Sequence, residues 1–260
     1  MRADVTHAGP QSSAAVGHAE LQSTPDAGRA EWDSNVGAGH ARLALRQLCD
    51  SLFPLGSFAH SDGLETVVSS GRIASGADLR GWLETTLSVT LTDAEGPAVR
   101  DAFNAAQARN VAALSVLDDE MHALRGSASG REASRAMGTR LLSTWQRLRP
   151  SDLVQSAIDA RARYTFPVAF GVVCAAVGAT LEETLEAYCY TRLATVISAA
   201  MRLMSIGQQE AHGLLTDVLR NVPASVARIE SRVEPPRSFA PVMEMASMSQ
   251  QYVHSRLFRS

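Results

Sequence analysis

From Ala41 to the end of the chain, large apolar residues recur at three- and four-residue intervals, and no run shows the alternation of a half-buried strand flanked by hairpin turns. Such spacing places the apolar side chains on one face of a helix, and a helix with one apolar face must bury it against another. The chain is therefore expected to be all-α: a single-domain bundle of about ten helices over residues 41–260, with short connections that favour antiparallel neighbours. No internal repeat period is visible.

Local signals divide this helical pattern. Leu43, Leu45, Leu48 and Leu52 form a first segment that Pro54 and Gly56 stop. Asp62 with Glu65 three residues on reads as a capping box opening a short helix that ends near Gly71. Ser75 and Asp78 open the next, with Leu79, Trp82, Leu83 and Leu87 on one stripe, and further helical periods cover about 94–109, 111–125 and 131–148, with Gly126 to Gly130 as a loop. Ser151 can cap a segment running to about Arg163. Pro167 suits the first turn of an almost wholly apolar helix that stops at Gly178, too interrupted to span a membrane and so expected in the core. Thr180 and Glu183 repeat the capping box before a segment to about Met204 that is apolar around most of its circumference and should be central. Two helices, Gly207 to Asn221 and Pro223 to Ser231, precede the Pro235–Pro236 break and a last one from about Val242.

Residues 1–40 differ from this body. They are rich in Ala, Gly, Ser, His and Asp, carry five acids against two arginines, and hold too little apolar surface to offset ordering entropy, so a disordered extension is expected. The body that remains is formally neutral and lacks the basic footprint of a nucleic-acid or anionic-membrane binder. All 24 basic residues are arginine. Without a lysine, the chain cannot build a P-loop, a pyridoxal site or a Schiff-base aldolase site. Cys49, Cys174 and Cys189 are few, far apart and set among apolar residues, which fits reduced thiols in a cytosolic protein; no CxxC pair and no secretory signal is seen.

Three constellations invite a functional reading. PLGSFAHSDGLE, residues 54–65, crowds Ser57, His60, Ser61 and Asp62 together, but groups this close in sequence rarely converge as nucleophile, base and orienter while one of them opens a helix, so a capped turn is the better account. Arg202 follows the apolar face of the central segment and either ties two helix ends together or meets a partner, with Gln208 just beyond. At the end of the chain, Leu257 and Phe258 stand between Arg256 and Arg259 before Ser260, which is either a tail folded onto its own core or an anchor of hot-spot composition. The seven histidines form no paired metal motif, and His212 does not share a helical face with a second imidazole.

Together these pieces resemble the UreF family of helical urease accessory proteins. The likeness runs from about Leu43 to Ser260 and is carried by Pro54, Gly56, Phe58, Ser61, Gly63, Leu64 and Glu65; by Arg131, Ser134, Gly138 and Leu141; by Val168 to Gly171; by Arg202, Leu203, Gly207 and Gln208; and by the closing RLFRS. The chain departs from the family pattern at Met204 to Ile206, where a proline is usual, at Ala211 and His212, at Gln250 and Gln251, where His and Glu are common, and at the YTF run before Val168, where a His is usual. What the resemblance implies is a cytoplasmic, non-enzymatic chaperone that dimerises and joins a UreD (also called UreH) protein and the GTPase UreG on apo-urease, so that nickel reaches the urease active site. It would have no cofactor of its own, the nickel being handled by the complex, and no nucleic-acid or membrane partner. Phe58, Ser61, Glu65, Arg202, Gln208, Arg256, Leu257, Phe258, Arg259 and Ser260 are the residues expected to meet partners, with the tail leaving the core to anchor in a groove of the UreD-type protein. The alternatives are a small helical enzyme with His60 or His212 as base, and a helical regulator holding an apolar ligand around Phe166 to Val173.

Overall fold

The computed structural model describes residues 38–254 and 256–259, so the N-terminal extension lies almost entirely outside the described residues. The expected all-α architecture is what the chain adopts, and no strand occurs among the described residues. The elements run α1 (Ala38–Cys49), a 3-10 turn (Ser57–Ala59), α2 (Leu64–Ser69), α3 (Gly76–Thr85), a π-helical stretch (Thr86–Glu95), α4 (Gly96–Gln107), α5 (Val111–Leu124), α6 (Ala128–Leu148), α7 (Asp152–Ala160), α8 (Phe166–Val177), α9 (Leu181–Leu203), α10 (Gln208–Leu219), α11 (Val222–Ser231), α12 (Pro241–Ser249) and a closing 3-10 turn (Gln250–Tyr252).

Local capping chemistry sets several boundaries where the sequence places them. Ser75 and Asp78 close a reciprocal capping box at the start of α3, and Thr180 and Glu183 do the same for α9. Pro167 sits in the first turn of α8, and Gly178 ends it in the left-handed conformation at φ 78°. Ser127 accepts from the Gly130 amide, so α6 begins inside the stretch expected to be a loop. The expected break before residue 94 is also absent: α3 passes without interruption through the π-helical stretch into α4. Thr86 and Thr92 turn their hydroxyls back onto the carbonyls of Trp82 and Leu87, so these side chains find partners within the widened helix.

The core is organised around α8 and α9. Every residue from Phe166 to Cys174 is buried, and Phe166, Phe170 and Tyr188 form an aromatic cluster with ring centroids 5.1–5.8 Å apart. Phe166 to Val173, considered as a place for an apolar ligand, is thus filled by the protein's own side chains. Gly171 lets α4 come against α8, because a Cβ there would stand 2.6 Å from the Val99 carbonyl oxygen. Gly138 likewise makes room on α6 for the backbone of Tyr164 and Thr165. Helix α9 touches α1, α2, α4, α10 and α11, which makes it the central element its apolar circumference announces.

Candidate functional site

Residues 61–65 are where the local reading of the sequence and the structure part. The capping box expected from Asp62 and Glu65 does not form. Gly63, not Asp62, is the residue before α2; Asp62 itself sits at φ 49°, and the Leu64 and Glu65 amides are met by the Ser61 carbonyl and hydroxyl. Both carboxylates are thereby freed for partners far away in sequence.

Asp62 turns inward to α9. Its Oδ2 receives Arg192 Nη2 at 2.5 Å, while Arg192 Nε reaches Glu95 Oε2 at 3.0 Å. Glu95, 2% exposed at the end of the π-helical stretch, also accepts from the Tyr188 hydroxyl at 2.8 Å and pairs with Arg125 at the end of α5. Two carboxylates and two guanidiniums make the cluster charge-balanced, which is the condition for burying such groups. Burial alone would raise the Asp62 pKa, but Arg192 and Arg125 overcome it and hold the carboxyl at about 2. Burial alone would lower the pKa of Arg192; Asp62 and Glu95 overcome it and keep it well above the ordinary arginine value. The Tyr188 phenol is pushed well up by burial and by the adjacent Glu95 carboxylate.

Beside this cluster lies a cavity of about 100 Å³, bounded by Asp62, Glu95 and Arg125 below and by Met243 and Glu244 of α12 above. Trp82 also lines it, and its indole N–H has no hydrogen-bond partner among the described residues. The chain that leads to α12 is tied down on the same side. Arg228 and Arg232 pair with Asp93 Oδ1 at 2.7 and 2.9 Å, and the Arg237 amide donates to the Asp93 carbonyl.

Glu65 turns the other way, to the C-terminal segment. It is 2% exposed, and its carboxylate is met by amides: Oε1 accepts from the Leu257 amide at 2.5 Å, and Oε2 from the Phe258 amide at 3.3 Å and Gln250 Nε2 at 3.0 Å. Ser61 completes the arrangement by donating to Gln250 Oε1 at 3.2 Å. The Arg259 amide donates to the Ala59 carbonyl at 2.8 Å, Phe258 is 3% exposed, and the Arg202 guanidinium lies 4.3 Å from its ring centroid.

The tail, expected to leave the core for a partner, lies against the body in the lone chain. In this conformation it is folded back, with Ser61, Glu65 and Phe258 engaged inside the molecule rather than offered to a partner. Arg202, Gln208, Arg256, Leu257 and Arg259 are exposed, Phe58 is placed only by its backbone in the 3-10 turn, and Ser260 lies outside the described residues. Ser61 and Asp62 go to different clusters, so the crowded Ser57, His60, Ser61, Asp62 run does not converge as a hydrolase site. His60 is half-buried in that turn, and His212 is exposed on α10. Among the described residues, no three His, Cys, Asp or Glu side chains come together as a metal site.

Sequence reasoning did not single out Glu95, Arg125, Tyr188 or Arg192, nor the outer face of α12. Phe239, Val242, Met245, Met248, Tyr252 and Leu257 are all large, apolar and at least half exposed. Val242, Met245 and Met248 follow one another at three-residue intervals along one exposed side of the helix, while Ala246, one turn on from Val242 at the edge of that side, is buried against the body. A surface helix apolar on both sides was the available signal.

Fold and surface together define an all-helical protein whose open features are an apolar edge and a docked tail. Residues 73–219 match the UreF family model. Over 84% of its length the chain is similar to the urease accessory protein UreF of Arthrobacter sp. (strain FB24), at 32% identity and 97% of that protein, and to that of Trichodesmium erythraeum (strain IMS101), at 30% identity and 96%. The UreF of Lachnoclostridium phytofermentans is 29% identical over the same share of this chain and 98% of its own. The chain belongs to the UreF family of urease accessory proteins.

Proposed function

We propose that this chain acts without catalysis of its own, as a cytoplasmic adaptor in urease maturation: a homodimer that joins a UreD/UreH-type protein and the GTPase UreG on apo-urease and assists GTP-dependent insertion of nickel. Family membership supports the setting. The observation that supports the binding role is the apolar face of α12 and its flanks, since a run of exposed Phe, Val, Met and Tyr side chains is more apolar surface than a short segment keeps in water without a partner. Aromatic and methionine side chains are enriched at interface centres, and the exposed Arg256 and Arg259 supply a polar rim. Nickel is cargo of the assembly in this reading, and the chain alone neither hydrolyses GTP, having no lysine for the phosphates, nor holds nickel tightly.

The test is the pair Val242→Glu and Met245→Glu on the outer face of α12. Both side chains point to solvent, so the isolated variant should keep its melting temperature while its affinity for the UreD-type protein falls by at least about tenfold, and it should fail to restore urease activity to a UreF deletion strain that the parent chain rescues. Undiminished binding by the folded variant would remove α12 from the interface. Failure of the parent chain to rescue would overturn the maturation role itself.

A further inference from the structure

A void left between packed helices is normally apolar, whereas the cavity under α12 is bordered by polar groups that the fold leaves unused. Trp82 is 7% exposed, and its indole N–H has no acceptor among the described residues. A buried donor left unpaired costs stability unless something outside the chain receives it. On the α12 side, Glu244 accepts from the Ser238 hydroxyl at 2.9 Å and pairs with no cation among the described residues. The Thr90 hydroxyl is met only by the Met243 thioether at 3.9 Å, a weak acceptor. Thr90 belongs to the π-helical stretch, which brings Thr86, Thr90, Ala94 and Glu95 to this cavity, and such widened turns are rare and recur at functional sites.

These walls select a chemistry. Asp62 and Glu95 are balanced by Arg192 and Arg125, so Glu244 leaves the cavity one uncompensated negative charge, which disfavours an anion. A cation would suit Glu244 but has no acceptor to offer Trp82. A neutral amide has both functions: its carbonyl receives the indole N–H while its amino group donates to the carboxylate. Volume sets the size. An apolar cavity of about 150 Å³ takes benzene, so one of about 100 Å³ takes a molecule of roughly four heavy atoms, whose short apolar flank would meet Met121, Val196 and Met243.

We propose that the cavity under α12 binds a small neutral amide, and that the bound amide fastens α12 to the body. Trp82 on α3 and Glu244 on α12 hold the ligand from two elements, so occupancy opposes lifting of the helix that carries Val242, Met245 and Met248 on its exposed side. The site belongs to this chain alone and stands whether or not that side meets a partner.

Acetamide is the probe. A ligand of four heavy atoms binds no tighter than about 0.05 mM, so binding is followed by titrating the Trp82 indole N–H resonance of the nitrogen-15-labelled full chain, which Trp82→Phe identifies. The expected result is a saturable shift with a midpoint between about 0.1 and 10 mM, an unmoved Trp145 indole resonance, and no response to acetate, which has the same shape but is anionic. Glu244→Ala should raise the midpoint at least about tenfold, and Ala94→Leu, which fills the cavity, should abolish binding; either variant suffices if the other does not fold. With saturating acetamide, hydrogen exchange at the α12 amides should slow in the parent chain and not in Glu244→Ala. The site is overturned by no saturable response up to about 100 mM, which would mean ordered water only, by an equal response to acetate, or by a midpoint unchanged in the folded variants. Binding that leaves α12 exchange unaltered overturns the fastening.

Discussion

Asp62 and Glu65 stand three residues apart and end in opposite situations. Asp62 joins a cluster in which every charge has a counter-charge on a long helix, whereas Glu65 is satisfied by two backbone amides and a glutamine from the last eleven residues of the chain. The first arrangement comes apart only if helices separate. The second can come apart by local undocking, because its donors sit on a short segment beyond α12 and water can satisfy its amides once released. A buried carboxylate can thus be a fixture or a catch, depending on whether its partners are themselves held.

The sharpest way to break this comparison is to remove the shared cation of the first cluster. Arg192→Met leaves Glu95 and Asp62 short of charge in the core, and urea unfolding should show a loss of about 3–5 kcal/mol. A loss below about 1 kcal/mol would mean the cluster is not a fixture.

In the second region, Phe258→Ala should lower stability by only about 1.5–3 kcal/mol, the transfer value of one buried aromatic side chain, and proteolysis should reveal a loosened tail on an otherwise intact body. Removal of residues 255–260 is expected to behave the same way, since the docked Phe258 goes with them. Global unfolding on either change would make the tail part of the core rather than a catch.

Acid separates the two carboxylates further. Asp62, held at about 2 rather than 3.8, contributes about 2 kcal/mol that is fully present above the ordinary aspartate value and lost as pH falls through 2. Urea midpoints at pH 7 and pH 2 should therefore converge between the parent chain and Asp62→Asn, the parent losing its advantage at low pH. An advantage undiminished at pH 2 would contradict the ion pair with Arg192.

The smallest effect belongs to Glu65→Gln. It weakens charge-assisted bonds to amides that can turn to water, so global stability should fall by no more than about 1 kcal/mol while hydrogen exchange at Leu257 and Phe258 rises. Unaltered exchange at those two amides would remove Glu65 from the catch.

The chain's own order of residues was enough to define the helices and most of their ends, because caps, prolines and apolar spacing act over three or four positions. The boxes at Ser75 with Asp78 and at Thr180 with Glu183, the stop at Gly178 and the central place of α9 were all legible that way. The same local logic failed at Asp62 and Glu65, which match the box pattern as well as the other two do. Their partners lie 130 residues away at Arg192 and more than 190 away at Leu257 and Phe258, and a charge-assisted bond in a desolvated site outweighs a cap that the Ser61 hydroxyl and carbonyl can supply instead. Glu95 was invisible for a related reason: a single acid in a helical run gives no sign of facing inward until Arg125, Tyr188 and Arg192 are brought around it. The tail could be read from RLFRS as core packing or as an anchor, and its seat in the lone chain, with Phe258 beneath Arg202, came only from the tertiary structure, since burying an aromatic ring requires a pocket that the folded body provides.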